Sequence, residues 1–207
     1  MDYRGPAIVC AGRSHGETAV IARLLTAGRG LVGAFVAGGR GRQLRPVLLP
    51  GNLVEAELRS RTESQLPFAR VELRESRGPW LSEPLPAAGI AWVTALTAAA
   101  LPERQPFPAL FDALGALLSA ICVAPSARGW AVPMLSYEVL LLRELGYGTV
   151  TGRPDDDDWP SVLSAFDRIG RELARYPLAD RREDVMAARL MLRERWSRIA
   201  GTSGTGV

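Results

Sequence analysis

The chain has 207 residues, 47% of them hydrophobic and 23% charged, enough apolar material for a buried core and too much for disorder. Its 25 basic residues are all arginine, which excludes mechanisms that need a lysine amine, such as the Walker phosphate loop, Schiff-base catalysis and Ser-x-x-Lys acyl transfer. The formal charge of +3 hides an uneven spread: residues 1–78 carry 12 arginines against 7 acids, which points to a polyanion, nucleic acid by default. A coding bias toward arginine is the competing reading.

Residues 1–78 read as strands and turns. Ala7–Ala11 is a short apolar run before a polar turn, Gly12–Gly16. Thr18–Thr26 and Leu31–Val36 flank a two-glycine turn, Ala27–Gly30, that suits a hairpin. Gly38–Arg45 is a loop rich in glycine and arginine. After Pro50-Gly51-Asn52, residues Leu53–Arg61 alternate, with Val54, Ala56, Leu58 and Ser60 on one face and Arg59 and Arg61 on the other. Phe68–Glu75 alternates likewise. Five short strands bounded by Gly and Pro predict a five-stranded barrel of the oligonucleotide-binding kind over 1–78.

Residues 79–200 predict an all-α domain, so the fold class is α+β with two domains. Pro84–Leu101 places Ile90, Val93 and Leu96 at helical spacing. Pro106–Ile121 carries one apolar stripe, from Leu110 to Ile121. Val132–Leu145 is apolar nearly all round and is expected to be the central helix, capped by Gly146. Trp159–Tyr176 and Glu183–Ile199 are amphipathic. The Gly/Thr/Ser-rich tail, 201–207, is expected to be disordered.

Catalytic constellations are hard to find. His15 is the single histidine, and its neighbour Ser14 is badly placed to form a triad with it. Gly12-Arg13-Ser14-His15-Gly16 has the Gly-x-Ser-x-Gly spacing but is no nucleophile elbow, because Thr18–Thr26 after it reads as a strand and not as a helix. Cys10 and Cys122 read as small buried residues, and two cysteines cannot build a disulfide framework or a four-ligand zinc cage. Asp155–Asp158 is read as a solvated loop whose last member caps the next helix, with Pro160 in the first turn. No enzyme, metal or cofactor is therefore expected. The informative feature is the loop with Arg40, Arg42 and Arg45, followed by Arg59 and Arg61 projecting together from the next strand. Guanidinium forks suit phosphates, and they also stack on unpaired bases. The competing reading is a solvated loop paired to Glu55 and Glu57.

An ordered set of segments carries a resemblance. These are Ala7-Ile8-Val9, Arg13, Gly16-Glu17, Leu24-Leu25-Thr26 and Gly30-Leu31-Val32-Gly33. Pro50-Gly51-Asn52-Leu53-Val54, Arg59-Ser60-Arg61 and Leu101-Pro102-Glu103-Arg104-Gln105-Pro106 follow. Tyr137-Glu138, Leu145-Gly146-Tyr147 and the closing helix Arg189–Ile199 complete it. Together they resemble the RecO family of bacterial recombination mediators, in its alphaproteobacterial form. The resemblance implies a DNA repair and recombination mediator of the RecF pathway. It would bind single- and double-stranded DNA, anneal complementary strands and help load RecA. Its partners would be RecR and the acidic C-terminal tail of the single-strand binding protein, with Arg128 and Arg143 as candidate contacts for the tail's carboxylates. Many relatives carry zinc-binding cysteines just after the segment matching Leu145-Gly146-Tyr147. Residues 146–153 contain none, so a zinc site does not carry over, and the helical domain reads as short for the family. A ribosome-associated RNA-binding barrel protein is the alternative. The N-terminus lacks a basic, then apolar, leader pattern, so a cytoplasmic, nucleoid-associated protein is expected.

Overall fold

The computed structural model describes residues 2–62, 64–148, 154, 158–179 and 182–202. Residues 155–157 and 203–207 lie outside that range. So do 149–153, most of the stretch that follows Leu145-Gly146-Tyr147, where many relatives carry zinc-binding cysteines.

Five strands, β1 (Asp2–His15), β2 (Ala19–Thr26), β3 (Gly30–Val36), β4 (Leu53–Arg59) and β5 (Phe68–Glu75), close into a barrel in the order β1-β2-β3-β5-β4. This is an oligonucleotide-binding barrel. All pairings are antiparallel except β3 with β5, which meet in parallel at Phe35 and Phe68. The interior is narrow because its residues are small. Ala7, Val9, Ala22, Leu24, Val32, Ala34, Val54, Ala56 and Leu58 are fully buried, alternating along their strands as the pleat requires.

Two sequence expectations are corrected here. Arg13, Ser14 and His15 are not a turn: β1 continues through them, pairing with β2 as far as Ala19, and the turn is Gly16–Thr18. Both faces of this hairpin end are exposed, so no period of two marks it in the sequence. Arg61 is not on β4, which stops at Arg59. The next ladder partner is Pro67, which has no N–H to give. Pro67 instead accepts a bond at its carbonyl from the Phe35 N–H, 2.8 Å away.

Residues Leu101–Asp112 belong to the same compact unit as the barrel. This segment runs beside β3: Glu103 bridges Leu31, and the Arg104 N–H donates to the Leu31 carbonyl at 2.8 Å. Gly30 permits the approach. Its φ is +66°, and a Cβ there would overlap the Gln105 carbonyl.

The second unit takes in residues 83–100 and 113–207, and its described residues are mostly helical. Its elements are α1 (Pro84–Ala100), most of α2 (Pro108–Val123), α3 (Ala131–Glu144), α4 (Trp159–Arg175) and α5 (Arg182–Thr202). The predicted stripes are the buried faces: Ile90, Val93 and Leu96 of α1 and Phe166, Ile169 and Leu173 of α4 are all at most 0% exposed. Gly146 ends α3 with φ +86°, as a left-handed cap does. Asp158 caps α4: its Oδ1 accepts from the Ser161 N–H at 2.7 Å, which holds the carboxyl below its ordinary value.

The α3 expectation needs refinement. Val132 is exposed, and the polar interruption Glu138 is completely buried. The Glu138 carboxylate accepts from Trp92 Nε1 at 2.7 Å, Arg189 Nε at 3.2 Å and Arg189 Nη2 at 3.0 Å. Arg189 Nη2 also donates to the Phe166 carbonyl at 2.6 Å, and its guanidinium lies 3.5 Å from the Phe166 ring centroid. Burial pushes the Glu138 carboxyl up, against the pull of Arg189 and the Trp92 N–H. Gly170 leaves room for the guanidinium, which a Cβ would overlap.

Candidate nucleic-acid interface

The arginine-rich loop is seated by its apolar members. Leu48 is buried against the barrel core, with Leu44 and Val47 partly buried beside it. Backbone bonds brace it: Arg40 N–H to the Thr18 carbonyl at 3.0 Å and Arg45 N–H to the Gly41 carbonyl at 2.9 Å.

Asn52 locks the loop's return. Its Nδ2 donates to the Pro46 and Val47 carbonyls at 2.9 and 3.0 Å, and its Oδ1 accepts the Arg77 N–H at 2.7 Å. Its own carbonyl accepts the Val9 N–H, while the Gly51 N–H donates to the Val9 carbonyl, beside the bulge at Cys10. The Pro-Gly-Asn segment is thus a structural staple that fixes the basic loop against β1.

The five arginines read from the sequence fall into two groups. Arg40 and Arg45 rim a groove of about 440 Å³ whose other walls include Arg13, Ser14, Gly39 and Pro50. Arg42 is exposed on the same loop. The Arg40 fork is partly used, since Nη1 donates to the Gly16 and Glu17 carbonyls at 3.3 and 3.0 Å. Arg59 and Arg61 border a separate hollow of about 590 Å³ with Gln65, Leu66 and Phe68. Arg59 pairs with Glu57, though its side chain stays 74% exposed. The competing reading, with the loop arginines paired to Glu55 and Glu57, is not what forms, because Arg74 takes Glu55 at 2.5 Å and Arg59 takes Glu57. Among the described residues, Arg13, Arg42, Arg45, Arg61 and Arg70 have no carboxylate partner.

One row of the sheet spans between the two groups. Successive pairing partners across β1, β2, β3, β5 and β4 are Arg13, Ile21, Phe35, Phe68 and Arg59. Sequence reasoning missed Arg13, Arg70 and the aromatic members of this row. A signal existed for β5: buried Ala69 and Val71 put Phe68 and Arg70 on the solvent side.

His15 ends β1 with its ring edge-on to Phe35, centroids 5.8 Å apart. Ser14 is its immediate neighbour on an extended strand, so the two side chains diverge. Both cysteines are buried, and burial pushes the Cys10 thiol up to about 12. Thiolate is the reactive form, so Cys10 is expected to resist a disulfide reagent at pH 8 and to react once the chain is unfolded. Counting thiols with and without denaturant checks this. Among the described residues no cluster of three or more His, Cys, Asp or Glu could hold a metal ion.

In the helical unit, the two arginines assigned to a partner differ. Arg128 sits in a short 3-10 turn, Ala127–Gly129, with its guanidinium 5.2 Å from the Trp159 ring centroid. Arg143, in the last turn of α3, has a 68% exposed side chain whose Nη2 lies 3.9 Å from the Glu144 carboxylate.

Comparison with known proteins is consistent along the chain. Residues 1–77 match the family model for the recombination protein O N terminal, and residues 82–151 match that for its C terminal. The chain belongs to the RecO family. It is 39% identical over 188 residues to the DNA repair protein RecO of Rhodospirillum centenum, covering 87% of this chain and 74% of that one. It is 38% identical to the RecO of Phenylobacterium zucineum and 37% identical to one from Caulobacter vibrioides, each over 84% of this chain and 72% of the relative. The family's N-terminal model covers the barrel with both arginine groups. Its C-terminal model begins at residue 82 and takes in Arg128 and Arg143. No helix among the described residues is long and apolar enough to cross a membrane.

Proposed function

We propose that the protein is a non-enzymatic DNA-binding mediator of repair and recombination that holds DNA on the barrel's arginine surface and anneals complementary strands. The observation that carries this reading is the groove rimmed by Arg13, Arg40 and Arg45, with Arg42 exposed on the same braced loop. An annealer must screen two mutually repelling phosphate backbones while leaving base edges free. Arginines on a rigid barrel do so through backbone contacts, without reading sequence and without bond chemistry. Membership of the RecO family supports the further steps: loading of RecA on strands coated by single-strand binding protein, contact with RecR, and a cytoplasmic, nucleoid-associated location. For the acidic tail of the single-strand binding protein, Arg143 is the stronger carboxylate contact, because the Arg128 guanidinium already faces Trp159.

The test combines annealing and salt dependence. The wild-type chain is expected to speed annealing of complementary oligonucleotides, with and without single-strand binding protein. Replacing Arg42, Arg45 and Arg61 by Ala together should weaken binding more than tenfold. It should also reduce the slope of log K against log salt by about 2 to 3, the loss of three phosphate contacts. An unchanged slope in the triple variant would sink the assignment of this surface. Arg40 is left intact because its contacts to Gly16 and Glu17 hold the hairpin turn.

A further inference from the structure

Phe68 is 65% exposed, although it lies within a strand of the barrel. Phe35 meets its ring edge-on with centroids 5.2 Å apart at 69°, and His15 in turn meets Phe35 at 86°. The three rings form a row across β1, β3 and β5 at the seam where the barrel closes. A hollow flanks Phe68 on each side. One, of about 280 Å³, is bordered by Ala37, Glu57, Arg59, Ala69 and Arg70, with Glu57 paired to Arg59, whose side chain stays 74% exposed. The other, of about 590 Å³, is bordered by Arg59, Arg61, Gln65 and Leu66. An exposed aromatic ring with guanidinium groups beside both hollows offers a π-face and phosphate donors at the same place.

We propose that Phe68 is a stacking site for one unpaired nucleobase of a single strand, with Phe35 and His15 bracing its ring and Arg59, Arg61 and Arg70 taking the neighbouring phosphates. The proposal rests on the DNA-binding reading above and adds to it a place where the barrel distinguishes unpaired bases from a duplex. Bases in a duplex are already stacked on one another and present only their edges, so this ring has no duplex ligand. A stacked base keeps its pairing edge free, which suits a protein that brings complementary strands together. A protein segment docking on Phe68 is the competing occupant, and it is disfavoured by the cations beside both hollows.

The experiment measures binding of the full chain to an oligothymidylate and to an abasic phosphodiester of the same length. Phe68→Ala should weaken the oligothymidylate about tenfold, the loss expected for one base–aromatic stack. It should leave the abasic strand and a duplex within about twofold and leave the salt slope unchanged. Phe68→Trp should restore binding, since it keeps a π-face. A strand carrying 2-aminopurine should be quenched by the wild type and markedly less by Phe68→Ala, and matching melting curves show that the variant is folded. Oligothymidylate binding unchanged by Phe68→Ala, or an equal loss on thymidylate and abasic strands, overturns the stacking site while leaving the arginine surface standing. A wild-type chain that binds neither strand overturns the DNA reading and this proposal with it.

Discussion

Glu138→Ala is expected to destabilise the helical unit by about 3–5 kcal/mol, because it strands the Arg189 guanidinium in the interior without its counter-ion. That is a large part of the total stability of an ordinary domain, roughly 5–15 kcal/mol. Arg189 is 5% exposed and has no route to water that keeps its contacts with Phe166. The Trp92 N–H loses its acceptor in the same substitution. Glu138→Gln is expected to cost less than Ala, since the amide oxygen still accepts one of these donors, yet it leaves the cation uncompensated. Replacing the pair together, with Glu138→Met and Arg189→Met, should recover part of the loss by removing both charges. The recovery stays incomplete because Trp92 Nε1 loses its acceptor. Urea melts followed by tryptophan fluorescence report on the right unit, as Trp92, Trp130, Trp159 and Trp196 all lie buried within it. Singles and double of equal cost would refute the ion-pair account.

The second large effect belongs to the barrel. Asn52→Ala removes three side-chain hydrogen bonds, those to the Arg77 N–H and to the Pro46 and Val47 carbonyls. At about 1 kcal/mol per bond, and more where the orphan stays buried, the expected cost is roughly 3 kcal/mol. Asn52→Asp should not rescue it. A carboxylate still accepts from Arg77, but it turns negative charge toward two carbonyls that need donors. Since Asn52 holds the loop that carries Arg42 and Arg45, DNA binding should weaken along with stability. Faster hydrogen exchange at the Arg77 amide is the direct measurement. Protection equal to wild type would mean that the loop is held by Leu44, Val47 and Leu48 packing instead.

What sequence reasoning recovered, and what it missed, follows from which interactions are local. Val54, Ala56 and Leu58 were legible as an inward face because a strand buries alternate residues, whatever its neighbours are. The end of that strand was not, since Ser60 and Arg61 continue the same alternation and only the facing Pro67 stops the ladder. The Gly38–Arg45 loop was legible as basic and exposed. Its alliance with Arg13 was not, because Arg13 lies in a hairpin extension that is polar on both faces. Asn52 stood out as part of a recurring segment, but its role lies in bonds to residues 46, 47 and 77.

By itself the sequence determined that strands fill the first 78 residues and helices follow, the buried faces of α1 and α4, the caps at Asp158 and Gly146, and the arginine bias of the first 78 residues. Each of these depends on the chain's own periodicity, backbone preferences or composition. Only the tertiary structure decided that Glu138 meets a cation 51 residues away, that the arginines divide between two hollows, and that Phe68 stands exposed between Arg59 and Arg70. Those outcomes depend on strand register, barrel closure and helix packing, which join residues with no periodic relation along the chain.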